Sequence, residues 1–181
     1  MKAEEIEKFK DCIFVLSIEI ENVNSILDSV ERKNKLRDDV KNIDPKFSKD
    51  INDRIKILIG HIDHALKNIN KATEIIEKLV MNKDENGRIT KMKAEEIRKV
   101  ETCLMLLNDG IERANSNLKR AERNIKMRDD LKDTNPEGSK DFDDKVKKNI
   151  EYAKNFLKDL DKAVETIEKI VLNKAGEGEN N

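Results

Sequence analysis

The chain has no tryptophan, a single tyrosine and five phenylalanines, so aromatic side chains make up only 3% of its 181 residues. Two prolines and six glycines are too few for a collagen-like chain, and two cysteines cannot supply a disulfide framework. No long apolar run is present, which argues against a spanning helix and against membrane insertion. Charge of one sign is missing as well. The 37 basic and 38 acidic residues leave a net charge of −1 and are finely interspersed, so no large field is expected to attract nucleic acid or an anionic membrane.

What is present is charge, 41% of residues, beside 36% apolar residues. Such a composition suits either a disordered chain or long amphipathic helices, because disorder follows when too little apolar surface can be buried to offset ordering entropy. The order of the residues decides between them. Met1-Lys2-Ala3-Glu4-Glu5-Ile6 recurs as Met92-Lys93-Ala94-Glu95-Glu96-Ile97, and the offset of 91 then holds without a gap. Cys12 aligns with Cys103, Arg37-Asp38-Asp39 with Arg128-Asp129-Asp130, and Pro45 with Pro136. About 40 of roughly 90 paired positions are identical, which reads as a tandem duplication.

Within each unit the apolar residues step by three and four. Ile6, Phe9, Ile13, Leu16, Ile20, Val23, Leu27 and Val30 form one series, and Ile55 to Leu79 the next; Ile97 to Ile125 and Val146 to Ile170 repeat them. These are a and d positions of four heptad series, too long for strands. In the second helix of each unit, e positions are apolar too: Ile59, Leu66 and Val80, then Ile150, Leu157, Val164 and Val171. Three apolar positions per heptad is the pattern of a bundle, not of a two-stranded seam.

The expected fold is therefore all-α, an elongated up-down-up-down four-helix bundle built from two tandem antiparallel hairpins. The first hairpin covers residues 1–82, a junction loop 83–91, the second hairpin 92–173 and a disordered tail 174–181. Pro45 and Pro136 are expected to stop the first helix of each unit, with Ser48 and Ser139 capping the second and Asp50 and Asp141 in its first turn. The start of the chain shows no secretion signal, and the two thiols, far apart and outside any CxxC, read as reduced and buried; an intracellular setting is favoured.

Candidate sites are sparse. Asn82, Asp84 and Asn86, with Gly87, match the first half of an EF-hand loop, but Lys93 stands where the bidentate glutamate belongs. His61 and His64 could share a zinc ion only with a third ligand from another helix, and they read as surface residues. Asp84, Asn86, His61 and His64 are thus weak metal candidates, and no metal or other cofactor is expected. The aspartates around the hairpin turns alternate with lysines and arginines, as helix-end salt links and caps would require. Asn34 and Asn149 fall on the seam at a and d, where buried asparagines can fix register or partner number; alternatively, Asn34 and Arg37 lie where the seam frays near the loop.

Phe14, Val15 and Ile18 break the pattern by facing away from the core. Met105 and Leu106 repeat the feature, and Ile75 is expected nearby; these six residues form a candidate partner contact. No P-loop, GxGxxG, GxSxG or HExxH is present, so no enzyme is expected. The chain reads as a non-enzymatic bundle for protein–protein interaction or scaffolding, by a protein partner or by self-association, with a small-molecule ligand not expected. Two alternatives are a designed tandem bundle without a natural partner, and a calcium- or zinc-responsive binding protein.

Overall fold

The computed structural model describes residues 3–81, 93–131 and 134–178, with side chains for 4–81, 93–131 and 134–173. Four helices account for almost all of them: α1 (Ala3–Val40), α2 (Pro45–Val80), α3 (Ala94–Leu131) and α4 (Pro136–Gly178). None contains an internal proline, since both prolines stand first in their helices, where fixed φ and a missing N–H cost nothing. At 1.5 Å per residue, α1 is about 57 Å long.

Each helix has two neighbours. The packing of α1 on α2 and of α3 on α4 is extensive, while α1 on α4 and α2 on α3 touch more sparsely, so α1 and α3 lie on one diagonal. One continuous apolar core runs through all four, including Phe9, Leu16, Ile20, Leu27, Ile62 and Leu107 at 0% exposure. Each such side chain contributes about 1.5–3 kcal/mol. The seven e-position residues of α2 and α4 are all buried as well, at 4% exposure or less, so three faces per heptad are consumed.

The turns differ from expectation. Proline begins the second helix of each unit and does not stop the first, which ends five residues earlier at Val40 or Leu131. The cap is Asp44, whose Oδ1 accepts from Phe47 N at 2.9 Å. In the second hairpin Asn135 Oδ1 accepts from Gly138 N, also at 2.9 Å. An Asp or Asn before an N1 proline satisfies an orphan N–H locally, leaving Ser48 and Ser139 inside the helix and buried. Asp50 and Asp141 consequently stand beyond the first turn.

The tail also differs in part. Helix α4 continues past Asn173 to Gly178, because Lys174 and Ala175 are helix formers and no proline interrupts. The junction loop, with Asp84 and Asn86, lies outside the described residues, as do residues 179–181.

Candidate functional site

The end of the bundle that carries the hairpin turns contains a buried polar cluster. Arg37 on α1 and Arg128 on α3 are 3% and 4% exposed and meet at one carboxylate, Asp143 on α4. Arg37 Nη2 donates to Asp143 Oδ1 at 2.7 Å, and Arg128 Nη1 donates to the same oxygen at 3.1 Å. Arg128 Nη2 donates to Asn52 Oδ1 on α2 at 2.6 Å. Asn52 stands at the position equivalent to Asp143 in the other hairpin, so the two hairpins offer one charged and one neutral acceptor. Each arginine also binds the aspartate next to it, Asp38 or Asp129.

These contacts account for every nitrogen of both guanidinium groups. Arg37 Nε binds Asp38 and Nη1 binds Asn34 Oδ1 at 3.1 Å, while Arg128 Nε binds Asp129. Burial pushes the Asp143 carboxyl up from its ordinary value, against the pull of Arg37. Burial acts in the same direction on Asp38, but the hydrogen bonds and charges of Arg37 and Lys147 outweigh it and hold that carboxyl low. A cavity of about 380 Å³ adjoins the cluster, with Ser48 and Ser139 in its wall. Ser139 is occupied, donating its hydroxyl to Arg128 O at 3.2 Å.

Other concavities mark the flanks. One of about 900 Å³ lies between α1 and α4, where the helices pack sparsely; Asn34 and Ile150 line it. Asn34 is 3% exposed and its Nδ2 has no hydrogen-bond partner. A groove of about 400 Å³ between α3 and α4 carries Arg120, Arg123, Lys145 and Lys148 beside Tyr152 and no carboxylate, a local excess that the interspersed linear charge conceals. Between α2 and α3, a groove of about 420 Å³ has the opposite sign: Glu77, Glu101, Asp109 and Glu112 surround Met81 and Met105.

The residues expected to form one partner contact divide into two strips. Phe14 is 66% exposed and Val15 and Ile18 are 40%, on the face of α1 opposite its core. Met105 and Leu106, 65% and 46% exposed, occupy the outer face of α3. Because α1 and α3 are diagonal, these strips look in opposite directions. Ile75 is half-buried against the core of α2. On α4, Asp161 has its carboxyl raised by burial first and then by the like charges of Glu165 and of Glu21 on α1.

His61 and His64 are both exposed. Among the described residues no three histidine, cysteine, aspartate or glutamate side chains come together as a metal site would require. Cys12 and Cys103 are free and buried, and burial pushes both thiols up from their ordinary value. No described helix is long and apolar enough to cross a membrane.

The buried arginines are what a reading of the chain misses. Arg37 occupies a d position, and that placement suggested fraying near the turn. The signal was the identical Arg-Asp-Asp in both hairpins at the same heptad phase.

Searches of protein-family models, curated proteins and solved structures find no match to this chain.

Proposed function

We propose that the protein is a non-enzymatic scaffold whose partner is a basic amphipathic helix, taken up along the groove between α2 and α3. The observation that carries this reading is the groove's chemistry. Its charged lining residues are all carboxylates, and its exposed apolar residue, Met105, is of the flexible, polarisable kind that adapts to varied helix faces. A helix with Leu or Phe on one face and Lys or Arg beside it would bury Met105 and neutralise Glu77, Glu101 and Glu112.

The Phe14, Val15 and Ile18 strip on the opposite side offers a second, shallower contact with similar surroundings. Asp11, Glu19 and Glu21 lie within a turn of it along α1, against Lys10. Two such strips facing away from each other suit a scaffold that holds two helical segments at once. Self-association through them is disfavoured near neutral pH, since joining two copies brings acid against acid.

Isothermal titration with a synthetic Leu/Lys amphipathic peptide tests the proposal. Saturable binding is expected that weakens with added salt, and about tenfold when Met105→Lys removes the apolar anchor and adds a like charge. A Leu/Glu peptide of the same hydrophobic pattern should not bind. Equal binding of both peptides, or none of either, would refute the reading.

A further inference from the structure

We propose that the outer face of α3 pairs with the same face of a second copy of this chain, the two helices antiparallel about a two-fold axis at Ser116. Met105, Asp109 and Glu112 precede Ser116 on that face and Arg120, Arg123 and Met127 follow it, stepping by three and four. All seven are exposed, opposite the buried series that runs from Leu107 to Ile125. Their order is symmetric in kind and inverted in charge. Four residues either side of Ser116 stand Glu112 and Arg120, seven either side Asp109 and Arg123, and eleven either side the two methionines. Reversing a second α3 over the first therefore lays acid on base twice on each side of the axis. It also lays methionine on methionine at both ends, about 17 Å from the axis, with a small residue where the helices cross.

The second ground is that these charges have no use within their own chain. Glu112, Arg120 and Arg123 form no ion pair among the described residues, and Arg123 reaches only the Lys119 carbonyl, at 3.4 Å. No residue of opposite charge stands three or four places from any of them along α3. Elsewhere the bundle ties such residues in pairs, as Asp63 with Lys67 and Glu95 with Lys99. Here like charges sit one turn apart instead, Asp109 with Glu112 and Arg120 with Arg123, which disfavours a lone helix. Asp109 also holds Arg113 at 2.8 Å, and that cation lies on the α4 flank over Phe156.

The third ground is that the separation of charge extends beyond the seam. From Glu101 to Glu112, α3 carries three carboxylates and no cation; from Arg113 to Lys126 it carries five cations and one carboxylate, Glu122. The flanking helices widen each block, with Glu77 of α2 beside the acidic half and Lys145 and Lys148 of α4 beside the basic half. Asp130, beyond Met127, comes level with the uncharged Thr102. Stacking the two Met105 strips on each other would bring acid against acid, and the reversed arrangement avoids it. The equivalent face of α1 keeps a central serine, Ser25, and apolar ends, Phe14 and Leu36. There, however, Glu21 comes level with Ser29 and Arg32 with Ile18, so charge does not select a reversed partner. The pairing thus closes at two copies and does not propagate.

Sedimentation equilibrium of the full chain, from about 10 μM to about 1 mM, tests the pairing. The mass should rise reversibly from the 20.9 kDa of one chain toward twice that value and no further, with a Kd on the order of 100 μM. Glu112→Lys and Arg120→Glu, both at exposed positions, should each weaken pairing at least about tenfold, since each sets like charges opposite one another twice. Placed in the same chain, the two changes exchange the signs across the seam and should restore affinity to within about threefold of the parent. A mass that stays at one chain up to about 1 mM overturns the inference. So does growth beyond two chains, a single variant that pairs like the parent, or a double variant as weak as the singles. The pairing shares Met105, Asp109 and Glu112 with the peptide groove but does not rest on it. Arg120 lies outside that groove, so Arg120→Glu should still bind the Leu/Lys peptide. A parent that binds the peptide without pairing refutes the pairing alone, and one that pairs without binding the peptide refutes only the groove.

Discussion

Replacing Asp143 by asparagine removes the one carboxylate that two buried arginines share. The substitution keeps the size of the side chain and a carbonyl acceptor, but withdraws the negative charge from Arg37 Nη2 at 2.7 Å and Arg128 Nη1 at 3.1 Å. Both guanidinium groups stay buried, and if the new amide turns, its hydrogens face two cations. Breaking a buried ion pair from one side costs about 3–5 kcal/mol. Asp38 and Asp129 remain as counter-charges, with side chains 23% and 30% exposed, so we place the loss at the lower end, about 3 kcal/mol. For a chain of this length that lowers Tm by about 6–12 °C.

Urea unfolding followed by far-ultraviolet circular dichroism, with calorimetry for Tm, measures the effect. The exposed neighbour Asp144→Asn is the control and should change stability by less than about 0.5 kcal/mol. A triple replacement, Arg37→Met, Arg128→Met and Asp143→Leu, should be near neutral or stabilising, because it removes the desolvation penalty together with the attraction. A loss below about 1 kcal/mol in Asp143→Asn would refute the argument that this carboxylate neutralises the cluster.

Two glycines within helices give opposite expectations. Gly60 is exposed, and a Cβ there would meet nothing within 4 Å, so Gly60→Ala should stabilise by about 0.5–1 kcal/mol in the same urea assay. At Gly110, a Cβ would come within 2.5 Å of Leu160 Cδ2, a side chain buried at 1% exposure; overpacking outweighs propensity, and Gly110→Ala should destabilise by about 1 kcal/mol. The folded carboxyl of Asp161 titrates above its unfolded value, so its contribution favours the fold in acid and is lost as pH rises through the raised value. Asp161→Asn should therefore be more stable than the parent by about 0.5 kcal/mol near neutrality, and the difference should vanish by about pH 3.

The helices, their antiparallel order and the three-position apolar face were legible because heptad spacing reports burial directly: every e-position residue read from α2 and α4 is in the core. The caps were misread since Ser48 and Ser139 are good cap residues by type, and only the N1 proline reveals that Asp44 and Asn135 precede them. The apolar outer residues were read correctly as exposed. Their division into two strips depends on which helices are diagonal, and that is a property of docking, not of any one helix. The grooves were illegible for the same reason. Arg120 and Lys148, or Glu77 and Glu101, are far apart or mixed with opposite charges along the chain, and their like-charged grouping exists only across a helix pair.

The most direct test of the account is where a basic amphipathic helix lands on the folded protein. Backbone amide shifts recorded during titration with the Leu/Lys peptide should move first around Glu101, Met105, Asp109 and Glu112 on α3 and Glu77 and Met81 on α2, followed by the Phe14, Val15 and Ile18 strip. Shifts spread evenly over the surface, or concentrated on the Arg120 and Lys148 groove, would contradict it.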